Sequence, residues 1–257
     1  MVMGLVLSLL LPSLALAADQ PKPLPADANV DQVLDALDQR GKSLKEFTAD
    51  VKLTEETEAA LGGVATSRTG KVTFQRKGDE DARIRVVFDN KISGRISRPD
   101  KKEYLLDKGI LTDRDYPNKI EVRRQVVKQG QKMNLLKLGE GPFPLPIGQA
   151  KEDVLKNFNV GKQPAAKDDP KDTIHLTLKP KPGSSMVRRL SQLDVWVDRN
   201  SNMPVRIDTT DASGGERRQT DLNNLTVNPQ PPLKDADFTL PPIDQSTWSI
   251  KTEAFQE

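Results

Sequence analysis

The sequence predicts a mainly β protein with helical insertions, its strands running as one long antiparallel meander. Apolar and polar residues alternate with a period of two in segment after segment, as at Phe47, Ala49, Val51 and Leu53, at Val72 and Phe74, and at Ile84, Val86 and Phe88. Short clusters of Gly, Asp, Asn and Pro separate these segments, among them Gly78-Asp79, Asp89-Asn90, Asp107-Lys108-Gly109 and Asn200-Ser201-Asn202. Residues between the apolar positions are Lys, Arg, Thr, Asp and Gln, so each strand has one apolar and one wetted side. A doubly wound parallel sheet is excluded, because its strands would be apolar on both sides and separated by helices.

The elements follow in order. Residues 1–17 carry no charged side chain, and a Leu-rich core from Leu5 to Leu11 leads through Pro12 to Ala15-Leu16-Ala17. That is the pattern of a secretory signal peptide cleaved near Ala17, which predicts an exported, periplasmic chain. Asp19 and Pro21 arrive too early for a membrane span of about 20 apolar residues. Residues 18–28 hold three Pro in a polar setting and read as a flexible leader, followed by a single domain over 29–257. Val30, Val33, Leu34 and Leu37 recur at helical spacing, with Asn29 and Gln32 placed as a capping box and Gly41 near the far end. The alternation returns at Ile120 and Val122, at Ile174, Leu176 and Leu178, at Val195 and Val197, and at Val205 and Ile207. Between them the pattern breaks. Gln131 to Leu138, with Met133, Leu135, Leu136 and Leu138, reads as a short apolar helix or turn, Pro142-Phe143-Pro144-Leu145-Pro146 as a stiff segment, and Gln149 to Asn157 as a second helix with Ala150, Val154, Leu155 and Phe158 on one side.

Composition removes many chemistries. The chain has 257 residues, no Cys and one His, which excludes thiolate catalysis, iron–sulfur clusters, disulfides and multi-His metal sites. Lys plus Arg number 39 against 37 Asp plus Glu, so the net charge of +2 supplies no general field for nucleic acid. His175 shares parity with Thr173 and Thr177 and reads as an exposed strand residue, with no nucleophile and base paired in one cleft; no catalytic residue, metal or cofactor is expected. The apolar face of so many strands exceeds what the few short helices can cover. Two arrangements meet that need: a sheet folded over on itself as a sandwich or closed barrel, or an incompletely closed barrel with an apolar cavity.

The local sequences narrow the choice. The segment LKEFTADVKLTEE follows the first helix; GKVTFQRKGDEDARIRVVFD carries Gly70, Phe74 and Arg76; YLLDKGILTDRDYPNKIEV holds an Asp-Gly hairpin; and the chain closes on DFTLPP with Phe238, Pro241 and Pro242. In order and spacing, over about residues 30–243, these resemble the LolA family of outer-membrane lipoprotein carriers. The resemblance implies an incompletely closed antiparallel β-barrel, a LolA-like half-barrel, with a helical lid at about 131–158. It implies lipoprotein acyl chains or another lipid as ligand, and an inner-membrane exporter and outer-membrane acceptor as partners. The cavity wall is expected at Val72, Phe74, Ile84, Val86, Phe88, Leu135, Leu136, Phe143, Leu145, Ile147, Leu155 and Phe158. A LolA-like lipid-sensing module that binds without transfer is the alternative. Arg76 shares parity with Val72 and Phe74 and so projects from the apolar face. It either snorkels to solvent at the strand end or, as the resemblance implies, latches the closed lid.

Overall fold

The computed structural model describes residues 21–57, 65–78, 81–127 and 149–255. The expected signal peptide, and the expected lid residues Leu135, Leu136, Phe143, Leu145 and Ile147, lie outside the described residues. Helix α1 spans Val30–Ser43, and its N-terminus is closed by the expected capping box, in which the Gln32 N–H donates to Asn29 Oδ1 at 3.0 Å and the Asn29 N–H to Gln32 Oε1 at 2.9 Å. The strands are β1 (Glu46–Thr57), β2 (Thr66–Gly78), β3 (Asp81–Ser93), β4 (Ile96–Asp107), β5 (Ile110–Asp115) and β6 (Ile120–Gln125). After helix α2 (Lys151–Asn157) follow β7 (Phe158–Lys162), β8 (Thr173–Pro180), β9 (Leu190–Asp198), β10 (Pro204–Asp211), β11 (Glu216–Val227) and β12 (Ser249–Glu253).

The twelve strands of the described residues form one sheet in the order β12-β6-β5-β4-β3-β2-β1-β11-β10-β9-β8-β7. Its terminal strands β12 and β7 do not pair, so the barrel is not closed. Every pairing is antiparallel except that of β12 with β6. The period-two pattern sets which side chains share the inner face, and the register carries that face across strands: Phe47 lies opposite Phe74, Ala49 opposite Val72, Val72 opposite Val86 and Phe74 opposite Ile84.

Two apolar clusters occupy this inner face. One gathers Phe47, Val51, Val72, Phe74, Ile84, Val86, Phe88 and Leu106. The other places Val33, Leu34 and Leu37 of α1 and Val154 of α2 against Ile174, Leu176, Leu193 and Val195. Lys151 joins the helices, its Nζ 3.1 Å from both Asp31 and Asp35. Residues 21–28, expected as a flexible leader, are packed here instead. Leu24 and Ala28 are buried in the second cluster, and the Leu24 N–H donates to the Arg199 carbonyl at 2.8 Å. A polar, Pro-containing stretch still docks when it offers one Leu and a free N–H.

Asp107-Lys108-Gly109 makes the expected tight turn, with positive φ at Lys108 (51°) and Gly109 (75°), as a hairpin of the primed type requires. Asp89-Asn90, read as a turn, lies within β3. The register slips there against both Gly70 and Lys102, a β-bulge, and the chain reverses later at Gly94, where φ is +60°. At that bulge a Cβ on Gly70 would sit 1.8 Å from the Val87 carbonyl oxygen. Gly70→Ala is therefore expected to cost about 1–3 kcal/mol or more in a urea titration, the range of a strained overpacked site. Gly161→Ala, whose Cβ would meet nothing nearer than 3.8 Å, should change stability by less than about 0.5 kcal/mol.

The outer face is only partly wetted. Residues 228–248 leave β11 and cross it as an irregular strap that ends in β12. The Leu233 N–H donates to Glu46 Oε2 at 2.9 Å, Arg83 Nη2 donates to Asp235 Oδ1 at 2.7 Å while its guanidinium lies 4.0 Å from the Phe238 ring centre, and Arg85 Nη1 donates to the Asp237 carbonyl at 3.0 Å. Further along, Arg114 donates to the Pro241 carbonyl, and Trp248 meets the Tyr116 ring edge-on at 5.3 Å. Arg83, Glu103, Arg114 and Glu121 are buried beneath it.

Candidate functional site: an inner-face cavity

Where the two apolar clusters adjoin, at β1–β4 and β10–β11, the inner face is left with a cavity of about 310 Å³. Its wall is apolar: Val51, Leu53, Val72, Ile84, Val86, Phe88, Ile207 and Leu222. Charged and hydroxyl side chains, Glu55, Arg68, Thr209, Arg218 and Thr220, also border it. The charges are matched in pairs. Arg68 Nη1 donates to Asp100, and Arg218 Nε lies 3.5 Å from Glu55 Oε1. Tyr104 completes the lining, and burial pushes its phenol pKa up, so it remains a neutral hydroxyl at physiological pH. Asp113, opposite Tyr104 in the register, is likewise pushed up by burial, which outweighs the lowering effects of Lys102 and Arg124.

Four of the expected wall residues, Val72, Ile84, Val86 and Phe88, line this cavity. Phe74, Leu155 and Phe158 do not. Phe74 is fully buried against Phe47, ring centres 5.2 Å apart and nearly parallel, deeper along the same face. Phe158 is not on a helix but opens β7, and it packs with partly buried Leu155 in the α1 cluster. Arg76 is half-buried on β2, its N–H donating to the Lys45 carbonyl at 2.7 Å, and it does not border the cavity. The lid segment around 135–143 expected to receive its guanidinium is outside the described residues. The arginines at the cavity are Arg218 and Arg68, the latter opposite Leu53 in the register and of the same parity as Gly70, Val72 and Phe74. That parity was available in the sequence, as it was for Val51, Leu53 and Ile207.

His175 is also not an exposed residue. On the outer face its ring stacks on Trp196 at 4.1 Å and its Nε2 lies 2.8 Å from Asp194 Oδ1. Among the described residues no group of three or more His, Asp and Glu is arranged to hold a metal ion, and no helix is long and apolar enough to cross a membrane.

No family model matches the chain, and no curated protein matches it in sequence. Solved structures do. An uncharacterized conserved protein from Thermus thermophilus matches at 9% identity over 87% of this chain and 98% of that one, with a TM-score of 0.48. A DUF1329 family protein from Desulfovibrio piger matches at 15% identity over 82% and 97%, with a TM-score of 0.40. A LolA superfamily protein from Nitrosomonas europaea matches at 13% identity over 83% and 98%, with a TM-score of 0.29.

Proposed function

We propose that this protein is an extracytoplasmic, periplasmic carrier that shields an acyl chain of a lipoprotein or another lipid in the inner-face cavity and hands it on between membranes. The observation that carries this reading is an apolar wall continuous across β1–β3, β10 and β11, with compensated charges beside it. The sequence resemblance to lipoprotein carriers supports it independently. At the volume of a water-sized group, about 30 Å³, the cavity of about 310 Å³ takes roughly ten methylenes, about two thirds of a palmitoyl chain. At about 0.8 kcal/mol per methylene, burial contributes about 8 kcal/mol before the costs of association, so the net Kd lies above about 1 μM. Such a chain is held yet can be released.

The mechanism is partition: no bond is made or broken. His175 is on the opposite face of the sheet from the cavity, which supports a non-enzymatic role. An inner-membrane exporter and an outer-membrane acceptor are the partners this reading requires. The test loads the protein with a fluorescent lipopeptide and follows its transfer to acceptor vesicles. Loading followed by transfer is expected; loading without transfer would favour a lipid sensor, and no loading would overturn both readings.

A further inference from the structure

The outer face of β8–β10 carries a second, polar depression of about 760 Å³, on the side of the sheet opposite the cavity. Thr177, Asp194 and Asp208 stand side by side in the register and form its floor. The segment 163–172 walls it, pinned by Trp196 Nε1, which donates to Asp169 Oδ1 at 2.6 Å, and by Arg206 Nη1, which donates to the Asp168 carbonyl at 2.9 Å. Asp194 is fully engaged: Oδ1 meets Thr177 Oγ1 and His175 Nε2, and Oδ2 accepts from Gln192. Asp208 is not. It is 4% exposed; its Oδ2 takes both Nε and Nη2 of Arg217, while its buried Oδ1 has no hydrogen-bond donor.

A buried carboxylate oxygen without a donor is costly, so the donor it calls for defines a ligand. The charge count defines it further. Two carboxylates share the floor, and the one guanidinium against them, Arg217, is half exposed and also 3.6 Å from Glu56. Arg217 thus divides its charge between Asp208 and Glu56. The Lys179 side chain belongs to the exposed rim. The geometry points to a binding site for a small primary alkylamine, whose ammonium donates to Asp208 Oδ1 and whose stem lies on Pro164, Ala165 and Ala166. An ammonium brings three N–H donors and a positive charge to that carboxylate together.

The test uses the full chain with Trp248→Phe, so that Trp196 is the remaining tryptophan and reports on the depression by fluorescence. Titration with n-propylamine should saturate. Tetramethylammonium, with the charge but no hydrogen-bond donor, should bind at least about tenfold more weakly, since a hydrogen bond to a charged group is worth about 1.5–3 kcal/mol. Asp208→Asn should weaken propylamine binding by a similar factor while leaving uptake of a hydrophobic probe on the inner face unchanged. Thr210→Lys, two residues along the same face from Asp208, should supply the ammonium from the chain itself, abolish the response and raise the Tm. No saturation, equal binding of tetramethylammonium, unchanged affinity in Asp208→Asn, or a full response in Thr210→Lys would each overturn the site. A response to glucose as strong as to propylamine would do so as well, by showing a polyol site.

Discussion

Glu121→Ala is expected to destabilise the protein by about 3–5 kcal/mol, the cost of removing one partner from a buried ion pair. Glu121 is 0% exposed and takes Arg114 on one carboxylate oxygen and Arg123 Nε on the other, at 2.6 Å. Arg114 is itself buried and donates onward to the Pro241 carbonyl. Removing the carboxylate leaves a guanidinium held under the strap with its charge uncompensated. For a chain of this size the Tm should fall by about 6–20 °C. Glu216→Ala is the control: its partner Arg218 is half exposed, and an exposed pair is worth at most about 1 kcal/mol. Equal Tm values for the two variants would show that the buried ladder does not hold the outer face.

Val86→Trp should leave a folded protein that no longer takes up an acyl chain with useful affinity. Val86 is 5% exposed on β3 and lines the cavity beside Val72 and Phe88. Overpacking costs about 1–3 kcal/mol of stability. An indole that displaces about three methylenes removes about 2.4 kcal/mol of burial, roughly fiftyfold in affinity. Ile96→Trp, at a position 71% exposed in the β3–β4 hairpin, should leave binding unchanged. The readout is displacement of a hydrophobic probe by palmitate in each variant.

The inner face was legible because alternation states which side chains share a face. From Phe47, Ala49, Val51 and Leu53 to Ile84, Val86 and Phe88, the apolar positions stand where their period puts them. The capping box at Asn29 and the Asp107–Gly109 turn were legible for the same reason, that each rests on a local backbone requirement. Alternation does not say what covers a face. Arg83 and Glu121 stand out of phase with the apolar positions beside them and so read as solvated, yet the strap buries them together with Glu103 and Arg114, and the strap has no periodicity of its own to announce it. β12 is short, exposed and parallel to β6, and its five residues carry no alternation signal. The Asp89 bulge resembles a turn in sequence because both use a residue that leaves the ladder. For the site, parity brought Val72, Ile84, Val86 and Phe88 together but could not rank depth, so Phe74 was grouped with the wall although it packs on Phe47.

The central claim is that an acyl chain enters the inner-face cavity, and photo-crosslinking tests it most directly. Palmitate carrying a diazirine near its methyl end, activated in the bound state and mapped by peptide mass spectrometry, should label Val72, Val86, Phe88 or Leu222 on the cavity wall. Labelling should disappear in Val86→Trp. Crosslinks spread over the outer face, or the same yield in Val86→Trp as in the unaltered protein, would contradict it.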